Sequence, residues 1–325
     1  KLFPDPCFGN KDNINSGLLK VKIALYHLNE KNKVNLEKFK DGNSDEDEED
    51  LENMKNNALG IGILGPNNLK PVYKVVCVVY MTRYLISGDE NAKNDPYVSI
   101  KCDQELSTSI KHDSVNGIWN EALIFENIEM DINRKSTWPI LLATVKDKDT
   151  LSSDILGYTY VWLNSSPCKI NDPSLVRPKW HQLYLPNSNE PQGELLLSFY
   201  IFDSAHSNLS REINPIPETV PYTCEINILG LRDIKPLAML PIKKAFIKFD
   251  MNSLNVTGKI EDTLESKKTQ PKDKGSNPTI NSVIKFDIKL PKEEIFMPLL
   301  QCEVYDYLLS GLYNKSLGVF LLNMR

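Results

Sequence analysis

The sequence predicts an all-β protein made of two antiparallel β-sandwiches in tandem. Short apolar runs, rich in β-branched and aromatic residues, alternate with turn residues in the pattern of half-buried strands. A second series of such runs follows a polar stretch at residues 204–218. We find no three-turn segment with a 3.6-residue apolar stripe, and strands do not alternate with helices as they do in a parallel sheet.

The first series has seven runs, and that many strands need two packed sheets. These runs are Leu18–Leu28, Pro71–Leu85, Asp95–Cys102, Glu121–Glu126, Ile140–Lys146, Ile155–Leu163 and Gly193–Phe202. The second series repeats the architecture. Its runs are Tyr222–Leu231, Lys243–Met251, Ser282–Pro291, Leu299–Leu309 and Leu317–Met324.

The segments between the runs set the predicted domain boundaries. Six consecutive acids, Asp45–Asp50, lie in residues 31–59 and predict a disordered linker, because like charges cannot bury enough apolar surface to offset their ordering entropy. The two sandwiches are predicted at 60–203 and 219–325, joined by a linker at 204–218. The Lys-rich stretch Ser266–Thr279 predicts a long surface loop in the second sandwich.

Composition excludes several functional classes. The chain has 325 residues and 41% hydrophobic residues, enough for two domains. Residues 71–205 hold 17 acids and 12 bases, a net charge of -5, which disfavours nucleic acid as a partner. No apolar run is long enough to span a bilayer and no leader precedes the first strand, so we expect an internal fragment without its own anchor. Six scattered cysteines without metal spacing disfavour a disulfide scaffold, and Cys77, Cys102 and Cys302, which lie in apolar runs, are expected to be small buried residues in a reducing, intracellular compartment.

Two groups of aspartates stand at predicted strand ends in the first sandwich. Asp89 and Asp95 flank one loop, and Asp147, Asp149 and Asp154 flank another. If these loops meet at one edge, five carboxylates converge, and a hard cation relieves their mutual repulsion. Calcium suits oxygen ligands from flexible loops better than magnesium, and the absence of neighbouring His or Cys disfavours zinc, copper and iron. Each aspartate taken alone is an ordinary turn residue.

These runs resemble the calcium- and lipid-binding C2 domain across Pro71–Asp203. The resemblance rests on "SGDENAKNDPYVSIKC", "GIWNEALIFE" and "VKDKDTLSSDILGYTYV". It implies an eight-stranded Greek-key sandwich in which the five aspartates bind two or three calcium ions, with backbone carbonyls at Gly88 and Lys148 assisting. Asp154 arrives one residue early, and this shorter loop favours two ions over three.

The wider chain resembles the ferlins, a family of multi-C2 proteins. The matching segments are residues 16–30 with the acidic stretch, 179–203, 228–237 and 284–294. The resemblance implies that residues 1–30 are an edge strand or the end of a preceding C2-like domain. It also implies a tail-anchored cytoplasmic protein in calcium-triggered vesicle fusion, exocytosis and membrane repair, with fusion-machinery proteins as candidate partners.

The second sandwich departs from the calcium pattern. Its two loops read "KPLAMLPIKK" and "YDYLLSGLYNKSLG", and the second has only Asp306 as an acid, so no calcium is expected there. Asp233 is interpreted as a turn residue. Lys243, Lys244 and Lys248 either face anionic lipid headgroups or form a solvated strand face.

The sequence thus predicts calcium-dependent binding to anionic phospholipid membranes, with Leu151 and Ile118 at loop tips entering the headgroup region. Two alternatives remain open. One is a regulatory C2 region of a lipid-modifying enzyme or kinase, although no catalytic motif occurs and we predict no enzyme activity. The other is a calcium-independent scaffold in which the aspartates cap loops.

Overall fold

A computed structural model describes residues 71–85, 93–149, 152–186, 188, 190–235, 241–272, 275–308 and 313–324. The predictions for residues 1–59, including the strand at Leu18–Leu28 and the acidic linker, lie outside these residues. Within the described part of the chain, no helix has the length and apolarity needed to cross a membrane.

The described residues of the first sandwich form nine strands. They are β1 (Val72–Arg83), β2 (Pro96–Lys101), β3 (Glu105–Ser107), β4 (Ile118–Glu129), β5 (Ile140–Lys148), β6 (Ser153–Trp162), β7 (Cys168–Ile170), β8 (Lys179–Tyr184) and β9 (Pro191–Phe202). One sheet has the order β3-β2-β5-β6 and the other β8-β9-β1-β4. A single residue pair, Tyr158 with Tyr184, links the two. All pairings are antiparallel except that of β7 with β9, which confirms the predicted fold class.

The central part of β1, Val75–Met81, is apolar because both of its faces are covered. Val75, Cys77 and Val79 point into the sandwich core, whereas Val76 and Val78 belong to a second cluster on the outer side. Strands β4 and β9 occupy its two edges. The continuous apolar run therefore reflects burial on two faces, which removes the alternation typical of a half-exposed strand.

The second sandwich has six described strands. They are β10 (Thr219–Gly230), β11 (Ala245–Asp250), β12 (Lys267–Lys268), β13 (Thr279–Pro291), β14 (Leu299–Leu308) and β15 (Tyr313–Asn323). One sheet is β10-β13 and the other β12-β11-β14-β15. These correspond in order to β1-β4 and β3-β2-β5-β6 of the first sandwich.

The described part of the second sandwich has no counterparts of β7, β8 and β9. Strand β10 therefore pairs only with β13. Leu229 on this strand is 76% exposed, whereas most of β1 is buried. The core lies between the β10-β13 sheet and the four-stranded sheet, where Phe249, Leu300 and Cys302 are buried. The five cysteines of the described residues are free thiols; Cys77 and Cys302 are buried, and Cys102 is half-buried.

The two sandwiches share an apolar interface on the outer face of β1 and β9. Phe296, from a short 3-10 turn before β14, is 1% exposed. Its ring centroid lies 5.0 Å from that of Tyr80 in β1. Ile213, from the segment that connects the sandwiches, joins the same cluster. Both sandwiches therefore bury apolar surface against each other.

Polar contacts add to this interface at the loop end of the first sandwich. The Asn120 side-chain nitrogen donates to the Val256 carbonyl oxygen at 2.6 Å. The Val115 amide donates to the Gln301 side-chain oxygen at 2.9 Å. Because these buried groups satisfy one another across the interface, separating the sandwiches would expose both apolar area and unpaired polar groups.

We expect the substitution Phe296→Ala to lower the free energy of unfolding by about 3–5 kcal/mol, because it leaves a cavity beside Tyr80. Urea denaturation of the full chain followed by circular dichroism would measure this. Val283→Ala is the matched control, since Val283 is 55% exposed and should change stability by less than about 0.5 kcal/mol. Equal losses in the two variants would contradict the interface described here.

Candidate metal centre

The pairing register of three strands brings predicted ligands to one end of the first sandwich. Asp147 in β5 pairs with Pro96 at the start of β2 and with Asp154 in β6. Asp95 immediately precedes Pro96, so Asp95, Asp147 and Asp154 stand at neighbouring strand ends. Antiparallel neighbours lie only about 4.5–5.5 Å apart between α-carbons, so the backbones of these three residues stand at the same end of the sheet.

Asp147 holds the two candidate calcium loops together. This residue is 6% exposed, and its Oδ1 accepts a hydrogen bond from the Asp95 amide at 2.6 Å. The Asp95 carbonyl in turn accepts from the Lys148 amide at 3.1 Å. The side-chain amide of Asn94, in the orientation that gives both its oxygen and its nitrogen suitable partners, also donates from its nitrogen to Asp147 Oδ2 at 3.3 Å. The carboxylate thus has a structural role in the absence of any ion.

Asp95 is held by a third loop that the sequence reasoning did not identify. Its Oδ1 accepts from the Asp113 amide at 2.8 Å, and its Oδ2 lies 3.0 Å from His112 Nδ1. Partial burial raises the pKa of Asp95, but the hydrogen bonds from His112 and Asp113 outweigh this, so the pKa lies below its usual value. The carboxylate is therefore ionised and available to a cation at neutral pH. No local motif marks His112, because only the sheet pairing brings it to Asp95.

Asp149 and Asp154 flank the turn between β5 and β6. The Asp149 amide donates to the Ser152 carbonyl at 3.2 Å, and its Oδ2 accepts from the Ser152 hydroxyl at 3.2 Å. Asp154 is exposed at the beginning of β6. Both carboxylates therefore lie at the loop end of the sandwich, near Asp147.

The donor set fits a hard cation in its chemistry. Four of the five predicted ligands are described, and all of them offer carboxylate oxygens, as calcium prefers. The fifth ligand, Asp89, lies outside the described residues, as do Gly88 and the predicted membrane contact Leu151. Within the described residues alone, no three acidic, histidine or cysteine side chains form a metal-holding group.

The structure corrects the placement of Ile118. This residue was expected at a loop tip, but it is the first residue of β4 and pairs with Met81. Its side chain is partly buried against the cluster that contains Phe296. Because the second sandwich covers this side, Ile118 contributes to the interface between the sandwiches and not to membrane contact.

The second sandwich carries lysines at two positions that hold candidate ligands in the first. In the equivalent strands, Asp306 pairs with Ala245 at the start of β11 and with Lys315 in β15. Asp306 is thus the counterpart of Asp147, Lys315 of Asp154, and Lys244, which precedes Ala245, of Asp95. Two ligand positions have reversed charge. The sequence alone shows that these loops lack the acids, but only the pairing register identifies Lys315 as the counterpart of Asp154.

Asp306 keeps the loop-capping role of Asp147. It is 5% exposed, and its Oδ1 accepts from the Lys244 amide at 2.9 Å and from the Lys243 amide at 3.1 Å. In both sandwiches, an aspartate near the end of one strand therefore ties that strand to the beginning of its neighbour. This shared contact shows that a strand-end aspartate can be retained for structure where the other ligands are gone.

The predicted lysine row also needs correction. Lys243 and Lys244 precede β11 and are exposed, and only Lys248 lies within the strand. The Lys248 ammonium is 3.7 Å from the carboxylate of Glu303, which is 1% exposed. Lys248 is therefore directed toward a buried acid and is not part of a row offered to lipid headgroups.

The fold and the loop aspartates define a tandem C2 protein. The C2 domain family model matches residues 73–183 and 223–325, and the chain belongs to this family. Membership supports a membrane-binding function. Human myoferlin is 24% identical over 298 residues, which cover 82% of this chain and 14% of myoferlin. This likeness confirms the resemblance to ferlins, while the chain spans only a small part of that relative.

Two other proteins are similar to parts of this chain. FT-interacting protein 3 of Arabidopsis thaliana is 27% identical over 150 residues, covering 44% of this chain and 19% of that protein. A solved structure of two C2 domains of extended synaptotagmin 2 is 15% identical and covers 80% of this chain and 82% of that one, with a TM-score of 0.34.

We expect Asp306→Ala to lower the free energy of unfolding by about 1.5–3 kcal/mol, because two backbone amides lose a charged acceptor. Thermal and urea unfolding of the full chain would measure the loss. Asp306→Asn retains an acceptor oxygen and should cost less. If the two variants were equally stable, the carboxylate would not have the capping role inferred from its hydrogen bonds.

Proposed function

We propose that this chain binds anionic phospholipid membranes in a calcium-dependent manner through the loop end of the first sandwich. The observation that carries the proposal is the strand register that gathers Asp95, Asp147 and Asp154 at one end. The matching end of the second sandwich, with Lys244 and Lys315, serves as an internal contrast. A binding role, and not catalysis, is the function that these residues support.

Calcium would be held by Asp89, Asp95, Asp147, Asp149 and Asp154, with carbonyl oxygens of Gly88 and Lys148 as further donors. When bound, the ions supply positive charge at a loop end that otherwise repels anionic lipid. Two divalent ions nearly balance five carboxylates, so we propose two ions in this sandwich. The aspartates hold the loops in place, and Leu151 at the second loop contributes shallow apolar contact with the headgroup region.

The second sandwich contributes without calcium. Lys244 and Lys315 replace two acids, so a divalent cation would meet two positive charges beside Asp306. Lys243 and Lys244 are exposed at this end and can interact with anionic headgroups, at about 1 kcal/mol per charge near the surface. We propose this weaker contact as a supplement to the calcium-dependent one.

The ferlin likeness supports a cellular role in vesicle trafficking, exocytosis and membrane fusion. The chain would act peripherally on the cytoplasmic face of membranes, with proteins of the fusion machinery as candidate partners. We infer this role from family likeness, and the membrane-binding activity is the part that the site itself supports.

We expect the double substitution Asp147→Asn, Asp149→Asn to abolish calcium-dependent binding, because two of five carboxylates are neutralised while both amides can still accept hydrogen bonds. Isothermal calorimetry with calcium would measure ion binding in the full chain. Cosedimentation with phosphatidylserine-containing vesicles, with and without calcium, would measure membrane binding.

Glu129→Gln, Asp131→Asn is the matched control, since it removes two charges at the far end of β4, away from the loop end. This variant should bind calcium and vesicles like the wild type. Unchanged calcium-dependent vesicle binding in the Asp147, Asp149 variant would contradict the proposed site. Vesicle binding by the wild type that is equally strong with and without calcium would favour the scaffold alternative.

A further inference from the structure

The connection between β1 and β2, which carries the first candidate ligands, is tied to the second sandwich by an ion pair. Lys93 lies two residues before Asp95, and its Nζ is 3.2 Å from Glu303 Oε1 in β14. The Lys93 side chain is 16% exposed and that of Glu303 only 1%. The pair thus bridges the sandwiches in a largely desolvated position.

Glu303 is surrounded by donors that hold its charge. The Gln301 side-chain nitrogen donates to Oε1 at 3.2 Å, the Tyr305 hydroxyl donates to Oε2, and Lys248 adds a more distant cation. Burial raises the pKa of Glu303, but Tyr305 and the two lysines outweigh it and lower the pKa overall. A buried charge is costly when it loses a partner, so this carboxylate favours the geometry that keeps Lys93 in place.

The residues next to Lys93 transmit this constraint to the candidate ligands. Asn94 is 2% exposed and exchanges two backbone hydrogen bonds with Ser114, at 3.1 and 2.9 Å. The next residue along, Asp95, donates its amide to Asp147. Three consecutive residues therefore link Glu303 of one sandwich to Asp147 of the other.

A second contact supports the same coupling. Val115, which follows Ser114, donates its amide to Gln301, the residue that also contacts Glu303. Strand β14 therefore contacts two connections. It contacts the β1–β2 connection, which carries Asp95, through Lys93, and the β3–β4 connection beside it through Val115. Movement of β14 away from the first sandwich would release both loops together.

We propose that Glu303 is a positioning residue for the calcium site of the first sandwich, acting through Lys93. The second sandwich, which has lost its own ligand set, thereby sets the calcium affinity of the first. This inference rests on the proposed calcium function. By thermodynamic reciprocity, calcium would also strengthen the contact between the sandwiches.

Calorimetric calcium titration of the full chain tests the proposal in the wild type, Glu303→Gln, Lys93→Met and the double variant. We expect either single substitution to weaken calcium binding roughly tenfold, within the usual range of coupling between sites. In the Lys93→Met background, Glu303→Gln should have no further effect. A pure charge effect predicts the opposite for Lys93→Met, because removing a cation beside a calcium site should strengthen binding.

Two controls separate positioning from general damage. Lys248→Met removes the other cation beside Glu303 but leaves the Lys93–Glu303 ion pair. Asp262→Asn breaks the 2.9 Å ion pair with Lys289 elsewhere in the second sandwich. Neither should change calcium affinity by more than about twofold. Melting temperatures of all variants would report folding, and Lys93→Met carries the test if Glu303→Gln does not fold.

The outcomes are distinguishable from failure of the proposed function. A wild-type chain that binds no calcium overturns both proposals. Calcium binding that Lys93→Met leaves unchanged or strengthens overturns only the coupling. The coupling is also overturned if Glu303→Gln weakens calcium binding equally in the wild-type and Lys93→Met backgrounds.

Discussion

The pairing of β5 between β2 and β6 is the constraint on which the candidate site depends. Because β5 is hydrogen-bonded on both sides, Asp147 meets the start of β2 and the beginning of β6 at once. A shift of one residue would turn Asp147 to the other face and break its contact with the Asp95 amide. The apolar residues of β5, buried in the core, fix this register. Packing in the core therefore determines the arrangement of carboxylates at the end.

The two sandwiches show what the same framework does with different loop residues. Asp147 and Asp306 both cap the amide that begins a neighbouring strand, which is a structural use of the aspartate. Around that shared contact, one sandwich has further acids and the other has lysines. A framework contact that requires no ion explains how a ligand set can be lost in one copy without loss of the fold.

The interface makes the sandwiches more than two adjacent modules. Apolar contact at Phe296 stabilises the interface. The buried Lys93–Glu303 pair fixes its geometry, because a buried ion pair tolerates few alternative arrangements. The outer face of β14 is occupied by this contact. A surface available in an isolated sandwich is therefore used here to hold the loop end of its neighbour.

The sequence by itself determined the all-β class, the tandem arrangement and the two groups of aspartates, because alternation and spacing are local properties of the chain. The runs that form β11, β14 and β15 were visible in the same way, whereas β12 lies in the stretch that was predicted as a surface loop. The sequence did not reveal that His112 contacts Asp95, that Ile118 faces the second sandwich, or that Lys315 occupies the position equivalent to Asp154. Each depends on strand register or interface packing, which bring together residues far apart in sequence. Lys93 and Glu303, 210 positions apart, meet only because the two sandwiches pack against each other.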